Sequence, residues 1–193
     1  MTLKVVVWGT GNVGRPALRA VLSHADLELA GVIVSNPDKV GRDAGEIAGV
    51  GPVGVAATDD WRGVLDKGPD AVVYTATADI RPEEAMAELL ACLESGANVV
   101  STAFYSFLDP ASSPEEALQP VHAACEKSGA SLFVSGIDPG WVMDMLPVYL
   151  SGAVSGIREI RVREIFNYAL YDQPHVVREV IGFGKPMEEV PMM

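Results

Sequence analysis

Metal-binding residues, positive charge and long apolar runs are all scarce in this chain. Only two cysteines and three histidines occur among its 193 residues. Cys92 and Cys125 fall on predicted helices and read as small buried residues. Neither has another Cys or a His at metal-ligand spacing, apart from His122 three positions before Cys125, and two ligands do not make a metal site. No metal is expected. Lysine and arginine number 14 against 26 acids, a net charge of −12. That balance counts against nucleic acid and anionic membrane surfaces as partners. No apolar run reaches the length of a membrane span, and the first predicted strand starts at residue 3 with no secretory signal before it. The expected location is the cytoplasm.

What is present is an alternation of strands and helices. Strands are expected at 4–8, 29–34, 54–56, 71–75, 97–101 and 131–135, most of them Val-rich and apolar, as strands of a parallel sheet covered on both faces are. Helices are expected at 12–23, 82–95 and 114–128, with a short one near 59–66. Pro82 with Glu83 and Glu84 opens one helix, Leu89, Leu90 and Leu93 form its apolar face, and Gly96 ends it. Ser113-Pro114-Glu115-Glu116 reads as a capping box, with Pro120 breaking or kinking the helix behind it. The pattern predicts a doubly wound α/β sheet, a Rossmann fold, over residues 1–150. A small-residue link at 151–156 precedes partly alternating residues 157–168, read as a strand of a different sheet. Residues 151–193 are therefore expected to begin an incomplete α+β domain for substrate binding and oligomerisation.

The chemistry is carried first by Gly9-Thr10-Gly11-Asn12-Val13-Gly14. It follows a strand and opens a helix, the order a dinucleotide site requires. Gly9 suits the tight turn, Gly11 close approach of backbone to a pyrophosphate, and Gly14 packing of helix on strand. The helix N-terminus would then face phosphate, with Val13, Ala17, Ala20 and Val21 on one helix face. The bland alternative is a glycine turn that binds nothing. An NAD site usually has an acid at the tip of the second strand. Here that tip reads Val34-Ser35-Asn36-Pro37, with Lys39 and Arg42 beyond. Ser35 and Asn36 as hydrogen-bonding groups and Arg42 as a charge partner suit a 2′-phosphate, so NADP is expected ahead of NAD. The alternative is a solvated polar loop.

Four segments carry a family resemblance: Val7 to Gly14; Gly41 to Gly49; Thr75-Ala76-Thr77 with Arg81-Pro82-Glu83; and Gly136 to Gly140. In these, region 1–150 resembles the amino-terminal domain of dihydrodipicolinate reductases, and the chain is similar to the 2,4-diaminopentanoate dehydrogenase and native amine dehydrogenase branch. The resemblance implies a nicotinamide seated near Ala76, Thr77, Thr102 and Ala103, at the tips of the fourth and fifth strands. Open α/β sheets bind ligands in such crevices. It also implies a homo-oligomer built through the second domain. Two departures stand out. Dihydrodipicolinate reductases carry a histidine-rich motif with a lysine where this chain reads Glu164 to Ala169, which has neither; that counts against reduction of dihydrodipicolinate itself. The amine dehydrogenase branch has a glutamate after the fifth strand, where this chain has Phe104, Tyr105 and Phe107, with Asp109 the nearest carboxylate along the loop. That counts against reductive amination.

Hydride transfer still needs a group to polarise C=O or C=N or to deliver a proton. Tyr105, Asn167 and Tyr168 are the candidate catalytic residues, with Asp138 a further possibility. Phe104, Tyr105, Phe107 and Trp141 form either an apolar pocket wall or plain core, and Phe166 and Tyr168 are equally open to a packing role. His175 reads as a surface residue. The expected function is an NAD(P)H-dependent oxidoreductase acting on a small imine, amine or ketone. The alternatives are a non-enzymatic NADP-binding or redox-sensing protein and an inactive fragment of a longer dehydrogenase.

Overall fold

In a computed structural model, residues 2–189 are described. By its internal contacts the chain divides into two units, residues 1–141 and 142–193.

The first unit is built on six strands: β1 (Leu3–Trp8), β2 (Leu27–Ile33), β3 (Ala57–Thr58), β4 (Ala71–Tyr74), β5 (Asn98–Ser101) and β6 (Leu132–Val134). They form one sheet in the order β3-β2-β1-β4-β5-β6 with every pair parallel. This is the Rossmann arrangement, whose order reverses between β1 and β4. Side chains alternate across a strand, so β1 feeds two cores. Val5 and Val7 pack on one face with Leu18, Val21, Val32 and Ile47. Val6 and Trp8 pack on the other with Val72, Tyr74, Leu89, Leu93 and Val99. Burial on both faces is why these strands read as unbroken apolar runs.

The helices of this unit are α1 (Gly14–Ser23), α2 (Ala44–Ala48), α3 (Trp61–Leu65), α4 (Pro82–Glu94) and α5 (Glu115–Ser128). Several expectations need correction. The buried face of α1 is Gly14, Leu18 and Val21, and Val13 is exposed, because the i, i+4, i+7 stripe starts one residue later. The third strand lies at 57–58 rather than 54–56, and α2 was not expected. The capping box does not form: Ser113 Oγ donates to the carbonyls of Ser106 and Asp109, and Pro114 holds the N-cap position without a side-chain bond. Helix α5 runs through Pro120 unbroken. The loop over 102–113 contains two short 3-10 turns, Tyr105–Phe107 and Pro110–Ser112.

In the second unit, α6 (Leu146–Ser151) is followed by irregular chain. The strand expected over 157–168 does not form, and no residue of that stretch joins a ladder. Ile160 is 52% and Ile165 96% exposed, so the partial alternation buries neither. A 3-10 turn at Tyr168–Leu170 and helical turns at Val176–Val180 complete the described chain.

Candidate functional site

At the carboxyl end of β1 the chain turns sharply at Gly9, with φ +99°. A Cβ on Gly9 would stand 2.8 Å from the Ala76 nitrogen, and one on Gly14 would stand 2.0 Å from the Gly9 carbonyl oxygen. Both glycines are thus required by backbone that approaches them. Gly11 differs: a Cβ there would meet nothing within 4 Å. The space in front of Gly11 is open, which is what a pyrophosphate needs. Helix α1 has no side-chain N-cap bond; Arg15 N–H donates to the Gly11 carbonyl at 3.1 Å and Pro16 has no N–H, so what this end offers an anion is the helix dipole and the open backbone around Gly11. Thr75 holds this turn against the β4 tip, its Oγ1 donating to the carbonyls of Trp8 (3.0 Å) and Gly9 (3.2 Å).

Beside the turn lies a pocket of about 330 Å³ lined by Thr10, Gly11, Asn12, Arg15, Lys39, Arg42, Glu46 and Ile47. Three cations and one carboxylate meet there, in a chain whose net charge is −12. Lys39 is anchored by Nζ bonds to the Thr10 carbonyl (2.9 Å) and the Thr10 hydroxyl (3.1 Å). Helix α2 brings Glu46 and Ile47 to the pocket, and Asp43 caps that helix. Its carboxylate accepts from the N–H groups of Gly45, Glu46, Val53 and Gly54. These bonds, that from Val53 foremost, hold its pKa below the ordinary carboxylate value.

Of the expected cofactor residues, Thr10, Gly11 and Asn12 of the glycine turn come together with Arg42 in this pocket, and Gly9, Val13 and Gly14 do not line it. Ser35 and Asn36 do not line it, and the Asn36 side-chain oxygen caps a local turn by accepting from Asp38 N–H at 2.9 Å. Lys39, noted only as lying beyond the strand tip, and Arg15 complete the basic wall. No sequence pattern marked Arg15, whereas the Lys39–Thr10 contact joins residues 29 positions apart.

The β4 and β5 tips carry Ala76, Thr77, Thr102 and Ala103 side by side. Ser101 Oγ donates to the Tyr74 carbonyl at 3.0 Å and accepts from Ala103 N–H at 3.0 Å, tying the two tips. The Tyr105 hydroxyl donates to the Asp79 carboxylate. Asp79 is therefore the carboxylate beside Tyr105. Asp109, the acid expected nearest, instead caps the next 3-10 turn, accepting from Ala111 N–H and Ser112 Oγ. Phe104 and Phe107 are core: Phe104 lies 5.2 Å from the Tyr74 ring and 6.3 Å from Phe107, and both are buried. Trp141 is 48% exposed. Below the β4 tip, Arg81 forks the Glu88 carboxylate (2.7 Å to each oxygen), and the Tyr74 hydroxyl donates to Glu88 at 2.5 Å. Burial, then the bond to Glu88, pushes the Tyr74 pKa well above its ordinary value.

Asn167 and Tyr168 belong to the second unit. The Asn167 side-chain oxygen accepts from Ala169 N–H at 3.1 Å. The Tyr168 ring packs 5.2 Å from Phe166 and 4.9 Å from Phe183. Together they line a groove of about 670 Å³ with Glu164, Ile165, Ala169 and Val177. Among the described residues no group of three or more His, Cys, Asp or Glu is placed to hold a metal, and no helix is long and apolar enough to cross a membrane.

Residues 3–106 match the family model described as dihydrodipicolinate reductase, N-terminus. The chain belongs to that family. It is 53% identical over 192 residues to a protein from Streptomyces virginiae named amine dehydrogenase, covering 99% of this chain and 53% of that one. It is 37% identical over 101 residues to the 4-hydroxy-tetrahydrodipicolinate reductase of Chromohalobacter salexigens, covering 52% of this chain and 36% of that one. The solved amine dehydrogenase of Mycobacterium smegmatis superposes with a TM-score of 0.67 at 29% identity, over 81% of this chain and 46% of that one. The chain spans about half the length of the amine dehydrogenases it matches. The match to the Streptomyces virginiae protein spans the loop at 102–109, which in this chain holds no glutamate.

Proposed function

We propose that this chain is the cofactor-binding part of an NADP(H)-dependent oxidoreductase that moves hydride to or from the carbon of a small C=N or C=O group. The observation that carries this reading is the meeting of an open glycine turn at Gly11 with Arg15, Lys39 and Arg42 in one pocket. The turn and the α1 N-terminus fit a pyrophosphate. The two arginines offer forked donors suited to a 2′-phosphate, and Lys39 adds a point charge. The nicotinamide, when bound, supplies or takes up the hydride.

The chain's own part is to hold and to protonate. Ala76, Thr77, Thr102 and Ala103 offer small side chains at the sheet edge where a flat ring must approach backbone. The Tyr105–Asp79 pair is the acid in this reading: the Tyr105 hydroxyl proton, held by the Asp79 carboxylate, reaches substrate when the hydroxyl turns from Asp79; Tyr168 is its competitor from the second unit. Among amines, imines and ketones the amine is favoured by the long match to amine dehydrogenase, which outweighs the absence of a glutamate from the loop at 102–109.

Titration of the purified chain with NADPH and NADH, followed by nicotinamide fluorescence, tests the reading. NADPH is expected to bind at least about tenfold tighter, and Arg42→Ala to abolish the preference, since loss of one charged bond to phosphate is worth about 1.5–3 kcal/mol. Equal affinities would sink the NADP assignment, and no binding of either cofactor would sink the function. A screen of ketones with ammonia then follows, in which Tyr105→Phe should lower turnover by much more than it weakens cofactor binding.

A further inference from the structure

The loop joining β4 to α4 carries Ala76 and Thr77 at the sheet edge, and what holds that loop is unusual for a surface turn. Arg81 lies at its far end, where α4 begins. The Arg81 Nε donates back to the Thr77 carbonyl at 3.0 Å, and its backbone N–H donates to the Ala78 carbonyl at 3.1 Å. Both terminal nitrogens of the guanidinium reach Glu88 at 2.7 Å, and one also donates to the Tyr74 hydroxyl at 2.9 Å. Tyr74 is fully buried at the end of β4, and the Glu88 side chain is only 14% exposed. The loop is thus tied to the last residue of its own strand and to the second turn of the following helix. Its middle is tied again by Asp79 to Tyr105, on the neighbouring strand's loop.

A partly buried, forked ion pair is a poor device for stability alone, because desolvation offsets much of the attraction. It is an effective device for fixing one geometry. Here the geometry fixed is that of Thr77, whose side chain faces solvent while its carbonyl is held from behind. We infer that Arg81 is a positioning residue: braced by Glu88 and Tyr74, it presets the Thr77 loop as the seat for the nicotinamide half of the cofactor. This rests on the cofactor reading above. A preset loop spares the ordering cost that a mobile one would incur on binding.

The test separates the two halves of the cofactor. NADPH is compared with 2′-phospho-ADP-ribose, which keeps every phosphate and lacks the nicotinamide. Arg81→Lys keeps a cation against Glu88, yet a single ammonium cannot reproduce both the fork and the Thr77 bond. It is expected to weaken NADPH by about tenfold, to the affinity of 2′-phospho-ADP-ribose, whose own affinity should not change. Tyr74→Phe removes one arm of the brace and keeps the Arg81–Thr77 bond, so it should weaken NADPH by less than Arg81→Lys does and leave 2′-phospho-ADP-ribose unchanged. If Arg81→Lys proves unstable by thermal melting, the Arg81→Gln/Glu88→Gln pair removes the charges together and is read in the same way. Equal losses for both ligands, no loss for either, or a wild-type chain that does not distinguish the two ligands would each overturn the inference. A wild-type chain that binds neither ligand would instead overturn the cofactor reading on which it stands.

Discussion

The two units of this chain use similar proportions of apolar residue to opposite effect. In residues 2–141, Val5, Val6, Val7, Val32, Val72 and Val99, on both faces of one sheet, are all exposed by 3% or less. In residues 142–189, Ile157, Ile160, Ile165, Phe166 and Leu170 are all exposed by 45% or more. A strand in the first unit has a parallel neighbour that takes up its backbone donors and acceptors, and helices that cover its side chains. The stretch at 157–168 has the apolar spacing and no strand beside it. An apolar pattern specifies which face a strand would bury; it does not supply the partner that makes the strand.

The largest effect expected is one that would break this contrast. Leu89 is completely buried in α4 against β4 and β5, so Leu89→Ala should cost about 2–5 kcal/mol. Ile165 is 96% exposed, and Ile165→Ala should change stability by less than about 0.5 kcal/mol. Urea midpoints for the two variants decide it. A loss at Ile165 as large as that at Leu89 would show that the second unit has a core of its own.

A smaller effect sharpens the same contrast inside the first unit, between places where close packing is structural and places where it is left open for a ligand. A methyl group on Gly14 would collide with the Gly9 carbonyl, and the obstacle is backbone. Gly14→Ala should cost about 1–3 kcal/mol by overpacking and weaken cofactor binding with it. Gly11→Ala projects its methyl into open space. It should leave the melting temperature near the wild-type value and still lower NADPH affinity by about tenfold or more, because the backbone can no longer come close to the pyrophosphate. Unimpaired binding by Gly11→Ala would mean that the phosphates lie elsewhere.

How much was legible in the sequence follows the same division. The all-apolar strands announced a sheet buried on both faces, and Gly9, Gly11 and Gly14 announced the turn, because each signal is local. Helix α2 was missed because five residues carry no period; it exists through the Asp43 cap and the close packing of Gly45, where a Cβ would stand 1.9 Å from the Gly51 carbonyl oxygen. Lys39 with Thr10 and Asp79 with Tyr105 are pairs 29 and 26 residues apart, brought together by strand order alone. Asn36 looked like a phosphate ligand, yet it spends its oxygen on its own turn, a competing use that Asn commonly makes of its side chain. Tyr74 and Glu88 were read as strand and helix residues. The ion-pair brace they form with Arg81 needs the fold to be seen.

The smallest effect expected concerns Asp43, which joins the two legible signals, the second strand's loop and the basic pocket. Its carboxylate takes four backbone N–H bonds and so positions both α2 and the 51–54 loop behind Glu46 and Ile47. Because its folded pKa is depressed, chiefly by the Val53 N–H, its contribution is fully present above the ordinary carboxylate value of 3.8 and is lost as pH falls through the lower folded value. Asp43→Asn keeps the outline, drops the charge and replaces one accepting oxygen with a donor, so it should melt below the wild type at pH 7, with the gap narrowing in acid below pH 3.8. The pocket gives a second readout: α2 carries Glu46 into the same wall as Arg42, so a loosened cap should weaken NADPH more than it lowers the melting temperature would suggest. A gap in melting temperature that stays constant from neutral to acid pH would show that the lost acceptor, and not the lost charge, accounts for the effect, and the Asp43 bonds would then be no different in kind from the neutral Asn36 cap on the turn before it.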